Sequence, residues 1–452
     1  MSDAAERLID HALGLRWDAI SERARQSAQA FLLDSLAVGA AGRNAAHADG
    51  VLAMVQGWGE GGAAGVLGRP HQTLPAPSAA FVNAFQIHGQ EYDCVHEAAV
   101  LHPMATVLSA LLAELARGKL VDGQTFLTAI VAGVDVAVTL GLAAPGALTF
   151  FRPATAGIFG CVAAIASLRA MPREQALDAF GHALAFASGT MQAHFEGKPA
   201  LPVQVANAAR GALVAVDLAR AGMPGIRGTV EGAFGYLSLL EGEAALAPAL
   251  AKLGQGHRIE EVSWKPFPTG RAGHGGIGAV QKLMAKGLTA SNLASLEYLA
   301  PPLIKRLVGR PAHSDMAPGY ARLCLSYLAA VTLTRGTVSL ADFGADWLQD
   351  RELLALAAKV AVLNDGNPDQ AAFVPAVATA QLSNGTTLTE AVPALLGSPS
   401  HPLTCAEQEA KAAACLEYAG LGDRLESLLH AVDTLADAPD ALAAIRASGV
   451  IA

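Results

Sequence analysis

Along most of the chain, apolar side chains recur every three or four positions, the spacing that gathers them on one face of an α-helix. Between Ser21 and Gly39, for example, Ala24, Ala28, Phe31, Leu32, Leu36 and Gly39 share a face. A second helix is expected from Pro172, whose fixed φ suits a first turn, through Ala176, Phe180, Ala183, Leu184 and Ala187. A third is expected from about Asn207 to Ala221, closed by Gly222 with Pro224 just beyond. This pattern is almost unbroken from residue 4 to about 260, without a fixed-period repeat or a low-complexity tract. Helices of this kind pack as a bundle around a shared core.

The period changes near Gly254. A short helix is expected over Ile277–Lys286, then an extended segment over Leu296–Val308 interrupted by Pro301-Pro302. A helix across Tyr320–Thr334 and a strand at Ala358–Leu363 follow. Phe373–Leu382 and Thr386–Val392 flank Asn384-Gly385, the dipeptide most typical of a type I′ hairpin turn. From Ser398-Pro399 onward the tail returns to Ala/Leu-rich helical spacing. The expected fold is therefore mainly α, with residues 1–260 and 396–452 forming a large helical domain and 261–395 an inserted α+β lid domain. A chain of 452 residues is long enough to carry two cores.

Composition refines this picture. Hydrophobic residues make up 52% and charged residues 16%, which describes a large dry interior rather than disorder. The most apolar runs, Val136–Phe151 and Pro153–Leu168, are rich in Gly and Ala and separated by Arg152, so buried helices are expected there rather than membrane spans. A net charge of −9, with no basic stripe, argues against a nucleic-acid partner. Five scattered cysteines without CxxC spacing read as reduced thiols, and the charged N-terminus MSDAAERLIDHALGL lacks a signal-peptide core. A cytoplasmic enzyme is the expectation.

The richest chemistry lies in FVNAFQIHGQEYDCVHEAAVLHPMATVLSALLA, residues 81–113. There His88, Glu91, Asp93, Cys94, His96, Glu97 and His102 interrupt an apolar stretch. Imidazoles and carboxylates exchange protons near neutral pH, and a loop between two buried helices would lie against the core. A solvated polar loop is the bland alternative. Glu91, Asp93, His96 and His102 could also bind a divalent metal, but they lack the i, i+4 spacing of helical metal motifs. No P-loop or GxSxG elbow occurs, and the single GxGxxG (Gly273, Gly275, Gly278) follows a Pro/Gly turn rather than a strand. Cations stand in otherwise apolar stretches: Arg152 in FFRPATAG, Lys198 in FEGKPALP, Lys265 and Arg271 in WKPFPTGRAGHGG. An anionic substrate would need such partners, although each alone reads as a surface charge. His274 precedes a helix and could touch an anion there, Tyr327 reads as core packing, and His182 and His194 read as structural or surface.

NAFQIHGQEYDCVHEAAVLHP resembles the histidine- and aspartate-rich segment of the MmgE/PrpD family. DSLAVGAAG, TAGIFGCVAAIASL, AARGALVAVDLARAGMPG, WKPFPTGRAGH, ARLCLSY and GSPSHPLT resemble further segments of that family in the same order. The chain is thus identified as a divergent member of a family that dehydrates, decarboxylates or epimerises small carboxylates. The resemblance implies a helical domain, a smaller lid, a homodimer, no cofactor, and a site between the domains. It carries catalytic roles onto Glu91, Asp93, His102, Lys265 and Tyr327, with His274 after the turn. Three positions depart from the pattern: Glu91 replaces an aspartate, Phe151-Arg152-Pro153 stands where a histidine is usual, and Lys198 is displaced, with Gln204 nearer the usual lysine position.

These observations lead to a cofactor-independent lyase acting on a small di- or tricarboxylate by proton abstraction α to a carboxylate. Asp93 or His102 would be the base and Glu91 or His96 the proton donor. Arg152, Lys198, Lys265 and Arg271 would hold carboxylates and stabilise developing charge. The alternatives are an epimerase using the same carbanion, a metal-dependent enzyme, and a non-catalytic carboxylate-binding relative.

Overall fold

A computed structural model describes every residue except Met1, Ser2, Ala147, Glu243 and Gln370. The periodic segments are helical. Ser21 caps the helix Glu22–Ala41 by accepting from the Ala24 N–H, and its buried face holds the six small and apolar residues noted above. Pro172 stands one position before the helix Arg173–Ala183. The third helix begins earlier than its apolar spacing suggests, at Ala200, because Pro202 falls in a first turn whose N–H groups need no helical partner.

The helices Ala76–His88, Pro103–Leu115, Gly123–Leu142, Gly157–Arg169 and Ala200–Arg220 form the centre of the bundle. Small residues set the spacing. A Cβ on Gly160 would stand 2.6 Å from the Gly133 carbonyl oxygen, so these two helices touch backbone to backbone. Gly123–Leu142 is long and apolar enough to cross a membrane by length and composition alone, but 89% of its apolar window is buried inside the protein. It also carries the buried Asp135. A short antiparallel hairpin, β1 (Ala64–Val66) and β2 (Arg69–Leu74), interrupts a region whose apolar spacing predicts almost unbroken helix.

The later region holds a four-stranded sheet in the order β4-β3-β5-β6, from β3 (Leu293–Ala300), β4 (Val360–Asn364), β5 (Ala376–Leu382) and β6 (Thr387–Val392). β3 pairs parallel with β4 and antiparallel with β5. The extended segment ends at Ala300, because Pro302 opens a helix, Pro302–Val308, where the sequence predicts extended chain to Val308. The β5–β6 turn also differs from type I′: only Gly385 takes a positive φ (84°), and Asn384 instead accepts from the Thr386 N–H through its side chain. This suits a three-residue loop with a glycine bulge.

Buried apolar side chains fall into two clusters. One draws on residues 4–264 and 403–451, with Leu323 and Leu340; the other draws on 267–395, with Leu148. The histidine-rich segment lies where the two meet.

Candidate active site

The helix Ala76–His88 ends on its own histidine, and the chain then turns sharply through Glu91, whose φ is +51°. That left-handed residue reverses the backbone, so Asp93 returns beneath His88. Asp93 is fully buried, with His88 Nδ1 3.0 Å from its Oδ2. His102 is the N-cap residue of Pro103–Leu115, and its Nδ1 approaches the same oxygen at 3.2 Å, close in distance but poorly aligned for a hydrogen bond. The two imidazoles meet edge to face at 4.8 Å between centroids. Val95 pairs with Ser263 in an antiparallel bridge, which carries the following turn against the segment. There the fully buried Lys265 Nζ lies 3.0 Å from Glu91 Oε2 and 3.9 Å from Asp93 Oδ1.

Charge separates these groups by function. Burial alone would raise the Asp93 carboxyl, but His102 and His88 hold it well below the usual range. Burial likewise opposes ionisation of Glu91, yet Lys265, His88 and His102 outweigh it and bring its pKa to about 2. The histidines diverge. Burial works against charging His88, but Asp93 and Glu91 overcome it and raise its pKa. His102 is lowered by burial, with Lys265 and His88 adding to the effect and Asp93 only partly offsetting it. One imidazole is thus favoured as a cation and its neighbour as a neutral base, on a shared carboxylate.

A cavity of about 60 Å³ opens beside this cluster. Its polar lining is Glu91, His102, Arg152, His194 and Arg271, and its walls are mainly apolar, among them Val95, Phe151 and Leu307. Space of that size holds only a few waters. A second cavity, about 710 Å³, shares Glu91 and Leu323 with it and is bordered by His88, Lys198 and Arg322. The two form an inner chamber and a vestibule, with Glu91 and Leu323 in the partition.

The other sequence candidates take different places. His96 turns away from the chamber: its Nδ1 accepts from the Ala99 N–H and its Nε2 lies 3.0 Å from Glu261, while its backbone bridges to Leu101. Arg152 reaches the chamber wall, but its Nε is 3.0 Å from Glu241 Oε2. Arg271 is likewise neutralised, by Glu97 at 2.7 Å. His274 is bonded only within its own turn, 3.3 Å from the Thr269 carbonyl and 3.3 Å from Arg271, and burial, then Arg271 and Lys265, hold its pKa well below the ordinary value. Tyr327 lies in the second apolar cluster and donates to the Asp342 carbonyl at 2.6 Å. Lys198 is exposed on the vestibule rim. The structure therefore gathers Glu91, Asp93, His102 and Lys265, and keeps His96, His274 and Tyr327 out of the chamber lining.

Several groups at the site had no role assigned from the sequence. His88, noted there only as one polar residue of the segment, completes the cluster. His194 lines the chamber, and Arg322 borders the vestibule with its guanidinium 3.9 Å over the Phe343 ring. Behind the loop, Lys411 Nζ lies 2.6 Å from Asp34, donates to the Tyr92 carbonyl at 2.8 Å, and sits 4.1 Å over the Tyr92 ring. It thereby holds the residue between Glu91 and Asp93. As for a metal, ligand atoms of His88, Asp93 and His102 come within 4.8 Å of one another. Both Nδ1 atoms, however, face one Asp93 oxygen, and the Lys265 ammonium already sits beside it. That set fits a proton-transfer cluster better than a dication, and the four-residue set including His96 does not assemble.

Two family models cover most of the chain: the MmgE/PrpD N-terminal domain matches residues 6–249, and the MmgE/PrpD C-terminal domain matches residues 267–435. A cis-aconitate decarboxylase-like protein, oryM, of Aspergillus oryzae is 25% identical over 447 residues, covering 93% of this chain and 92% of its own. Cis-aconitate decarboxylase of Mus musculus is 24% identical over 450 residues, with 94% and 89% covered. That of Homo sapiens is 24% identical over 443 residues, with 94% and 90% covered.

Proposed function

The chain belongs to the MmgE/PrpD family, and from that premise we propose that it is a cofactor-independent lyase of the dehydratase or decarboxylase type. Its substrate is a small di- or tricarboxylate that reaches from the vestibule into the chamber, and it acts as a cytoplasmic homodimer in which the segment 261–395 is the lid of the site. The observation that carries this reading is an imidazole, His102, lining the chamber with its Nδ1 3.2 Å from the buried Asp93 carboxylate.

In this reading His102 is the base. Asp93 is sealed from the chamber and too acidic to accept a proton near neutrality, whereas His102 presents its other nitrogen and is uncharged. Removal of the proton α to a carboxylate leaves an imidazolium stabilised by Asp93, and the electron pair moves onto the substrate carboxylate. In dehydration the electron pair then expels the β-hydroxyl, which takes the proton back from the imidazolium and leaves as water; in decarboxylation no α-proton is removed, and the electron pair freed as carbon dioxide departs takes up one proton from solvent relayed through His102. Glu91, ionised and paired to Lys265, does not serve as the proton donor at neutral pH; the pair holds the partition instead. His96 is too far committed to Glu261 to take part.

The test is turnover of a panel of di- and tricarboxylic acids, cis-aconitate first, followed by NMR before and after exhaustive chelation. The proposal expects loss of water or carbon dioxide from one of them, unchanged by chelator. Exchange of the α-proton without loss of either would indicate an epimerase instead. Activity abolished by chelation and restored by a divalent metal would contradict the proposal.

A further inference from the structure

The second histidine of the chamber, His194, sits on the short helix Gln192–Glu196 and is buried. The segment leading to it runs antiparallel to the chamber wall: Phe150 bridges Thr190, the Phe151 N–H donates to the Gly189 carbonyl, and the Met191 N–H donates to the Thr149 carbonyl. This pairing brings His194 beside Phe151 and Arg152. Behind the ring, Arg310 donates from Nη2 to the His194 carbonyl at 3.0 Å and to the Leu307 carbonyl at 3.3 Å, and the same nitrogen lies 3.5 Å from His194 Nδ1. Arginine can only donate, so this neighbour favours a neutral ring with its Nδ1 lone pair toward the guanidinium and its proton on Nε2. Arg310 has no carboxylate partner among the described residues, and its Nη1 is buried without a hydrogen bond. Its charge is therefore not cancelled, in contrast to Arg152 and Arg271, which are paired to Glu241 and Glu97.

Building on the carbanion reading above, we propose that His194 is a catalytic residue. Its Nε2–H donates to the carboxylate oxygen on which charge develops when His102 removes the α-proton, and Arg310 is the positioning residue that fixes this tautomer. When the C–H bond breaks, its electron pair enters the C–C bond to the carboxylate carbon, and the C=O pair moves onto oxygen. The proton goes to His102, and the hydrogen bond from His194 strengthens as the oxygen gains charge. A neutral imidazole suits this task because it stabilises the oxyanion without protonating it. Burial, then Arg310, lower the His194 pKa to about 4, so the ring stays neutral through the working range. Arg306, Glu91 and His88 are the other charged or titratable groups acting on it.

Two measurements decide the matter. ¹⁵N NMR of the histidine rings in the full-length protein needs no substrate. It should show His194 neutral and protonated at Nε2 from pH 5 to 8, and in Arg310→Met its titration should move upward toward the ordinary histidine range, with Arg310→Lys holding it down. A ring protonated at Nδ1, or charged at pH 7, would overturn the assignment. In kinetics on the acid turned over by wild type, His194→Ala should lose about 10²–10³ in kcat with little change in KM, the cost of one oxyanion donor. His194→Gln, which keeps a donor, should recover at least tenfold of that. If His194→Ala retains the wild-type kcat while Asp93→Asn is inactive, this inference fails and the lyase reading stands. If Asp93→Asn keeps full activity, the lyase reading itself has failed.

Discussion

The protein contains two clusters of nearly identical composition, each a buried aspartate held by two histidines. In one, Asp135 takes His11 at 2.9 Å and His257 at 3.0 Å on the same oxygen, and its other oxygen accepts from the Arg258 N–H at 2.7 Å. In the other, Asp93 takes His88 and His102. The Asp135 bonds are short and complete, they join segments more than a hundred residues apart, and neither chamber nor vestibule touches them. At Asp93 the contact with His102 is misaligned, His88 Nε2 lacks a hydrogen bond, a lysine stands nearby, and one imidazole faces a chamber. The same side chains thus make a structural clamp where both aspartate oxygens are fully bonded, and a candidate reactive centre where some bonds are left open. Residue type alone does not separate these roles; satisfaction and access do.

Three substitutions can break or sharpen that contrast. Asp93→Asn should lower turnover by at least about 10³-fold in protein that circular dichroism shows to be folded, because the amide no longer stabilises the imidazolium. Asp135→Asn should do the reverse: roughly 3 kcal/mol less stability in denaturant, with kcat of the folded protein unchanged within a few-fold. Similar kinetic losses in both would erase the distinction. Next, Lys411→Met should reduce kcat by about 10–100-fold through displacement of the Glu91–Asp93 backbone. A Lys411→Met protein with wild-type kcat would show that the Tyr92 contact has no bearing on the site.

The pH profile follows from the direction of each shift. His102 is lowered from the ordinary value of 6.5, so kcat/KM should rise with pH along a limb whose midpoint lies below 6.5. A limb centred above 7 would assign the base elsewhere. Stability has its own acid limit. Glu91 falls from 4.5 to about 2 on folding, so its contribution is complete above pH 4.5 and is lost as pH drops toward 2. Urea titrations across that range should show the loss in wild type and a smaller one in Glu91→Gln. The smallest effect is expected at Tyr327→Phe, which loses one hydrogen bond to the Asp342 carbonyl: about 1 kcal/mol, with turnover retained. A large kinetic loss there would bring Tyr327 back to the reaction.

Much of this molecule is legible in its sequence, for identifiable reasons. The helices follow from apolar spacing, since a period sustained over three or more turns leaves few alternatives. The β1–β2 hairpin escaped because strands of 3 and 6 residues around Gly68 are too short to display a period. The Glu91–His102 segment stood out by composition, and Lys265 by its turn. His96 had the same signal as His102, yet a bridge to Leu101 and the Ala99 N–H rotate it outward, which no local spacing reveals. Arg152 and Arg271 looked free because Glu241 and Glu97 lie 89 and 174 positions away. His194 was unremarkable for the same reason: Arg310, which gives it meaning, is 116 residues distant.

The central claim is that His102, poised on Asp93, removes the α-proton. It is tested most directly by incubating wild type and His102→Ala with the acid that wild type turns over, in deuterated water, and following products by NMR. The account predicts that wild type forms product, that His102→Ala forms at least about 10³-fold less, and that circular dichroism and Tm remain those of the native fold. Product formation by His102→Ala at the wild-type rate would contradict it.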